Sequence, residues 1–362
     1  MKFQILILLL ILLNCSSEKW SGKTEIKNGV TYVHNPEIGL WQDSKKLVLE
    51  NDLLLESDEN DENKIFFQIT NLITDLQENI YLSEYNSGII RKFDKNGGYI
   101  LTIGKKGKGP GELIGPIRIW IDKNDTLFVF DWGTNRVSLF DLNGLFLGSL
   151  KISKFFNDRA AGFIIDNSNY IFLSCYDRET ETVIHKFTSE GNYLKSFGDP
   201  VQFDEPIGAG DMNVKRNSSK GRLFLNNNFL FYTQRNPYEI RKYLLDGSLK
   251  MIINRENTFM PKNKAEVIDD NSVRISVPSM STLISIWKNK LINCVYIPQT
   301  ISEKIGFGTV IDLFDLEGRL LITATLKENI SFHYISSTSS LLGVLIDENY
   351  DYKIVRYRLS LK

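Results

Sequence analysis

Six segments of this 362-residue chain follow one pattern: a strand of alternating apolar residues, a turn, most often with glycine, and a second strand. They begin at Ile89 (IIRKFDKNGGYILTIG), Arg136 (RVSLFDLNGLFLGSL), Val183 (VIHKFTSEGNYLKSFG), Glu239 (EIRKYLLDGSLKMII), Val310 (VIDLFDLEGRLLITATL) and, in truncated form, Lys353 (KIVRYRLSLK). One aromatic residue keeps its place in each: Phe93, Phe140, Phe187, Tyr243, Phe314 and Tyr357. Successive aromatics are 47, 47, 56, 71 and 43 residues apart. A second hairpin precedes each segment, as in DLQENIYLSEY, DKNDTLFVFDW and DNSNYIFLSCY. Each unit therefore has four strands, here lettered a to d. Asp, Asn and Gly fill the tight turns because they tolerate positive φ or bond their own backbone.

A unit of about 40–50 residues with four strands cannot bury its faces alone and must stack on its neighbours. The pattern predicts an all-β chain, a six-bladed β-propeller of four-stranded antiparallel blades spanning 45–362. Composition agrees. Alanine, the best helix former, occurs five times, whereas Phe and Tyr occur 22 and 15 times. The sixth unit shows no d-strand. The run KKLVLENDLLLE, Lys45 to Glu56, is expected to close the ring as the outer strand of that blade, which would cover a bare sheet edge. A net charge of −1 without a long basic run excludes a nucleic-acid binder that works by displacing counterions.

The N-terminus reads as a targeting segment. Lys2 precedes an apolar run from Phe3 to Leu13, too short to span a bilayer but suited to a secretory signal. The run ends in Leu-Leu-Asn-Cys, which resembles the bacterial lipoprotein box, although Asn14 replaces the usual small residue. The resemblance implies residues 1–15 as a signal with Cys15 as the lipidated residue, a membrane anchor of palmitate-type chains, and a place in the cell envelope. Depending on the envelope, that place is the periplasmic side or the surface of an outer membrane. Residues 16–44 are polar and read as a tether. Cys175 and Cys294 lie in strand patterns without metal-ligand spacing and are expected to be buried free thiols.

The stretch GKKGKGPGELIGP, residues 104–116, has the look of a phosphate cradle, but it lacks the Lys-Ser/Thr pair and following helix of a Walker A loop. Its glycines are better placed to carry the chain from the outer strand of blade 1 to the inner strand of blade 2. GKKGKGPGEL resembles the GxxGxGPGEF signature of bacterial six-bladed propeller lipoproteins. LFVFDWGTNRVSLFDLNG resembles an NHL repeat, with Asp131, Asn135 and Arg136 at the matching positions. The likeness is sharp in blades 1 and 2 and fades in blades 4 to 6. It implies the fold and an envelope location, not an activity.

Chain length is unevenly spread over the two faces of such a ring. The a–b and c–d turns are short, whereas the b–c and d–a side carries 104–116, 198–221, 254–280 and 296–309. Long loops gather where binding occurs, so this side is the expected binding face. Counting six positions along each b-strand places Tyr85, Trp132, Tyr176, Arg235, Tyr296 and Ile346 near that rim. The aromatics and Arg235 are candidate stacking groups, and equally candidates for the core between blades. Lys105, Lys106 and Arg118 would add a preference for anions. Catalysis has little support: His34, His185 and His333 are scattered, and His333 alone could face the channel. No cofactor or metal is expected. The reading is a monomeric, non-enzymatic binding or scaffold lipoprotein for a glycan, peptide or envelope-protein partner. The alternative is a metal-dependent hydrolase or lyase with its site in the central channel.

Overall fold

The computed structural model describes residues 19–154, 156, 158–201, 211–234, 238–255, 264–269, 272–276, 280–298, 306, 308–347 and 351–362. Six four-stranded antiparallel sheets stand around an axis. Blade 1 comprises Ile69–Thr74, Ile80–Glu84, Ile89–Phe93 and Tyr99–Ile103. Blade 2 comprises Pro116–Ile121, Thr126–Asp131, Arg136–Asp141 and Phe146–Lys151. Blade 3 comprises Gly162–Ile165, Ile171–Asp177, Thr182–Phe187 and Tyr193–Phe197. Blade 4 comprises Arg222–Asn226, Phe229–Thr233, Glu239–Leu244 and Leu249–Arg255. Blade 5 comprises Met280–Trp287, Lys290–Tyr296, Thr309–Phe314 and Leu320–Leu326. Blade 6 takes Ile330–Ile335, Ser340–Ile346 and Tyr352–Leu361 from the end of the chain, and its outer strand is Leu47–Leu55. That strand runs antiparallel to Tyr352–Leu361, with Leu47 opposite Leu361 and Leu55 opposite Ile354. The inner strands neighbour one another in cyclic order, blade 6 returning to blade 1.

The repeated aromatic explains why the units stack. Each of the six sits in a different core between adjacent blades, so the ring has six apolar seams rather than one centre. Phe93 joins blade 6 to blade 1, and Phe140 joins 1 to 2. Phe187, Tyr243, Phe314 and Tyr357 continue the series. All six are buried. Full burial of one such ring contributes about 2–3 kcal/mol.

The short turns follow their sequence. In the c–d turn of blade 2, Asp141 accepts from Asn143 N at 2.9 Å and Leu145 N at 2.7 Å. In the a–b turn of blade 1, Asp75 accepts from Gln77 N at 3.0 Å and Asn79 N at 2.9 Å. The glycine of the c–d turn takes a left-handed φ, 87° at Gly144, which a side chain would resist. The recurring aspartates are thus turn-formers. Cys175 and Cys294 are buried free thiols.

Part of the expected tether is folded. Lys23–Lys27 and Val30–Asn35 form a hairpin around Asn28-Gly29, both at positive φ, and Val30–Asn35 pairs in parallel with the outer strand of blade 4. Val33 is wholly buried there, and Asn35 is the tie. The Asn35 side chain accepts from Leu320 N at 2.6 Å and Trp20 Nε1 at 3.2 Å, and donates to Gly318 O at 2.8 Å and Asn254 O at 3.2 Å. The chain then follows the edge of blade 5, where Leu40 N donates to Leu320 O and Trp41 N to Leu321 O, before becoming the outer strand of blade 6. Residues 20–55 therefore form a belt around the outer edges of blades 4, 5 and 6. Buried Arg255 fastens it from beneath, with Nη1 on Asp312 Oδ1 at 2.6 Å and Nη2 on Glu37 O at 2.9 Å.

Candidate functional site: the axial channel

The loop 104–116 folds on itself, and the amides of Gly107, Gly109, Glu112, Ile114 and Gly115 already have acceptors. Glu112 accepts from Gly109 N at 2.8 Å, and its carboxylate lies where a Cβ on Gly107 would fall. Asp131, wholly buried, accepts from Gly115 N at 2.7 Å, Ile114 N at 3.1 Å and the Thr134 hydroxyl at 2.7 Å. Arg136 donates to the Lys108, Gly109 and Glu112 carbonyls. The motif residues Asp131 and Arg136 thus shape the loop, one engaging its amides and the other its carbonyls. Lys105 is exposed and paired with Glu112 at 3.2 Å.

The described rim candidates fall in different places, only Tyr85 and Trp132 sharing a core. Tyr85 and Trp132 pack against the core between blades 2 and 3, with the Arg159 guanidinium 4.2 Å from the Tyr85 ring. Tyr176 is buried between blades 3 and 4. Its strand carries a register shift between Ser174 and Asp177, so the count that finds Tyr85 and Trp132 one place beyond Glu84 and Asp131 lands one place before Asp177. A slip of one residue turns a strand side chain to the opposite face. Tyr296 ends its b-strand half-buried, opposite Met280 and Thr309, and Ile346 is exposed. Arg235 and Cys15 lie outside the described residues.

Arg118 is where sequence and geometry meet. It is the third residue of its inner strand and projects into the channel, where all six inner strands enclose a cavity of about 220 Å³. Further polar lining comes from Arg222 of blade 4, His333 and Tyr334 of blade 6, Asn71 of blade 1, Trp120 of blade 2 and Thr282 and Ser285 of blade 5. Ile73, Phe163, Phe224, Ile284 and their neighbours give the remainder an apolar wall. None of the described lining residues is Asp or Glu. Bulges in four inner strands leave Thr70, Ile117, Thr282 and His333 as the extra residues, the kind of irregularity that re-aims a side chain.

The two arginines meet at one acceptor. Arg118 Nε donates to Ala161 O at 2.7 Å and Arg222 Nη1 donates to the same oxygen at 2.8 Å, so these nitrogens are no more than 5.5 Å apart. Arg118 Nη1 also donates to Thr70 O at 2.8 Å and Ile117 O at 2.7 Å. Two unit charges at that separation repel by about 3 kcal/mol at an effective dielectric of 20. Burial, then the charge of Arg222, holds the Arg118 guanidinium well below its ordinary range. Burial, followed by Arg222 and Arg118, does the same to the His333 imidazole. The His333 Nε2 lies 3.1 Å from Ser331 Oγ, whereas its buried Nδ1 has no hydrogen-bond partner.

This charge pattern was only partly accessible from sequence. Arg118 follows a long d–a loop, which flags it. His333 was the one histidine expected to face the channel, whereas Arg222 carries no local signal, and only ring closure brings either of them to Arg118. Among the described residues, no three His, Cys, Asp or Glu side chains converge in a cluster that could hold a metal ion. His185 is a buried structural group: its Nε2 faces Cys175 O at 2.9 Å and its Nδ1 faces Ser196 Oγ at 2.6 Å. No helix among the described residues is long and apolar enough to cross a membrane.

Comparison with known proteins bears on the fold. Residues 58–199, which contain blades 1 to 3, match a family model, DUF5128, described as a 6-bladed beta-propeller. A Bacteroides fragilis protein described as exported superposes with a TM-score of 0.60 at 13% identity, covering 91% of this chain and 99% of that one. A member of the DUF4221 family from Bacteroides vulgatus superposes with a TM-score of 0.58 at 12% identity, covering 89% and 99%. At identities this low the likeness is one of fold. A stretch of 50 residues is 46% identical to the Caenorhabditis elegans protein lin-41, spanning 14% of this chain and 4% of that protein's length. The chain is a six-bladed β-propeller similar to bacterial proteins of that fold, and its first three blades carry the matching family signature.

Proposed function

We propose that this protein is an exported, non-enzymatic binding propeller, anchored in the cell envelope through Cys15, that captures a small organic anion in its axial channel. The observation that carries the reading is the shared carbonyl of Ala161, which holds Arg118 and Arg222 side by side over a cavity whose described lining has no carboxylate. An anion settling between the guanidiniums is attracted by both of them. Guanidinium forks fit planar carboxylates, and the apolar wall fits a hydrocarbon body. At about 220 Å³ the cavity is smaller than the ~300–1,000 Å³ of pockets that bury drug-sized ligands, so the ligand is small. Both arginines stand near the start of their inner strands, on the side where the long loops enter, which makes that face the approach.

Titration calorimetry with benzoate as the probe tests the proposal. Wild-type protein should bind, and Arg118→Gln and Arg222→Gln should each weaken binding by about 10- to 100-fold, the value of a charge-assisted hydrogen bond. Absence of benzoate binding, or binding untouched by both substitutions, would overturn it.

A further inference from the structure

The pairing of His333 with the two arginines supports a step beyond capture. We infer that the channel binds its anion together with a proton, taken up by His333, so that affinity rises as pH falls. This rests on the channel being the binding site.

The geometry comes first. His333 is the extra residue of the bulge between Phe332 and Tyr334, and it lines the same cavity as Arg118 and Arg222. One ring nitrogen is engaged with Ser331 on its own strand, and Nδ1 is buried without a partner. A buried ring nitrogen without a partner is a group waiting for one, since most such atoms in folded proteins are satisfied.

The groups around His333 decide its charge. From blade 2 it faces Arg118, and from blade 4 Arg222. Blade 1 contributes neutral Asn71, blade 5 neutral Thr282 and Ser285, and blade 3 Ala161, Gly162 and Phe163. Tyr334, its neighbour in sequence, is itself held above its ordinary range by burial and so stays neutral near pH 7. With two cations and no described carboxylate in the lining, the imidazole of the empty channel remains neutral. A bound carboxylate reverses the nearest field. It favours the imidazolium, which then donates to the carboxylate or reinforces it at short range. Among the described lining residues, His333 is the one whose ordinary titration range falls between about pH 5.5 and 8.

Binding linked to one proton changes in affinity by up to about tenfold per pH unit, between the imidazole pKa values of the empty and filled channel. The test uses the full protein and benzoate, in cationic buffers of different ionisation enthalpy so that the buffer does not compete. The expected result is a heat that depends on the buffer, reporting uptake of up to one proton per benzoate, and an affinity that falls from pH 5.5 to 8. This measurement needs no variant. Alongside it, His333→Gln should bind with an affinity that no longer changes with pH. Benzoate binding without proton uptake and with the same affinity at both ends of the range overturns this inference and leaves the channel as the site. No binding at any pH overturns both.

Discussion

Arg118 and Arg222, from blades 2 and 4, donate to a single oxygen, the carbonyl of Ala161 at the start of blade 3. A like-charged contact of this kind has a cost in the empty ring, and a ligand that relieves it should stabilise the fold. Benzoate at 100 times its dissociation constant is expected to add about 2.7 kcal/mol to the unfolding free energy. Thermal melts of wild type against Arg118→Gln, with and without benzoate, measure this. The rise in the variant should be about half the wild-type rise or less.

The six seams should be individually costly to damage. Phe140 is buried at the contact of blades 1 and 2, edge-on to Phe146 at a centroid distance of 5.7 Å. Phe140→Ala should lower stability by about 3–5 kcal/mol in denaturant titrations. A loss below 1 kcal/mol would mean that the neighbouring blades close over the void.

Asn35 ties blades 4 and 5 through a belt that sequence alone reads as slack. Asn35→Ala leaves Leu320 N and Gly318 O without their side-chain partner, with an expected loss of about 2–4 kcal/mol. Hydrogen exchange should speed up in residues 23–35 before it does in the b-strands. Uniform exchange across both would show that the hairpin opens only with the whole ring.

His185 makes a pH prediction. Burial holds its folded pKa at about 4, below the ordinary 6.5. Above pH 6.5 the imidazole is neutral in both states and this contribution is fully present. As pH falls from 6.5 to 4 the unfolded chain takes up the proton first, so stability declines by about 3 kcal/mol across that window. His185→Gln should flatten that part of the stability–pH curve, as measured by urea midpoints at pH 4.5, 5.5 and 7.

What could be seen in the sequence was whatever each blade must repeat. The aromatic at Phe93, Phe140 and their counterparts recurs because every seam needs one, and the turn aspartates recur because every hairpin needs closing. Asp131 and Arg136 stood out as a motif, and their work is local, organising the loop ahead of them. What escaped was whatever occurs once. The hairpin at 23–35 turns only Val33 and Asn35 fully inward, and one of those is polar, so its alternation looks like a solvated chain. Asn28-Gly29 was the available signal. Arg222 and His333 meet Arg118 only because the ring closes, and no spacing within one unit encodes such a meeting.

The docked hairpin also bears on orientation. Trp20 is already seated against blade 4, bonded to Asn35, and only four residues lie between it and Cys15. The five steps from one to the other reach at most about 18 Å when drawn straight. A protein held by a lipid at Cys15 would thus rest on a short leash with the flank of blade 4 toward the headgroups, like a wheel standing on its tread. Its hub would then open sideways, parallel to the bilayer, with both mouths clear of the lipid.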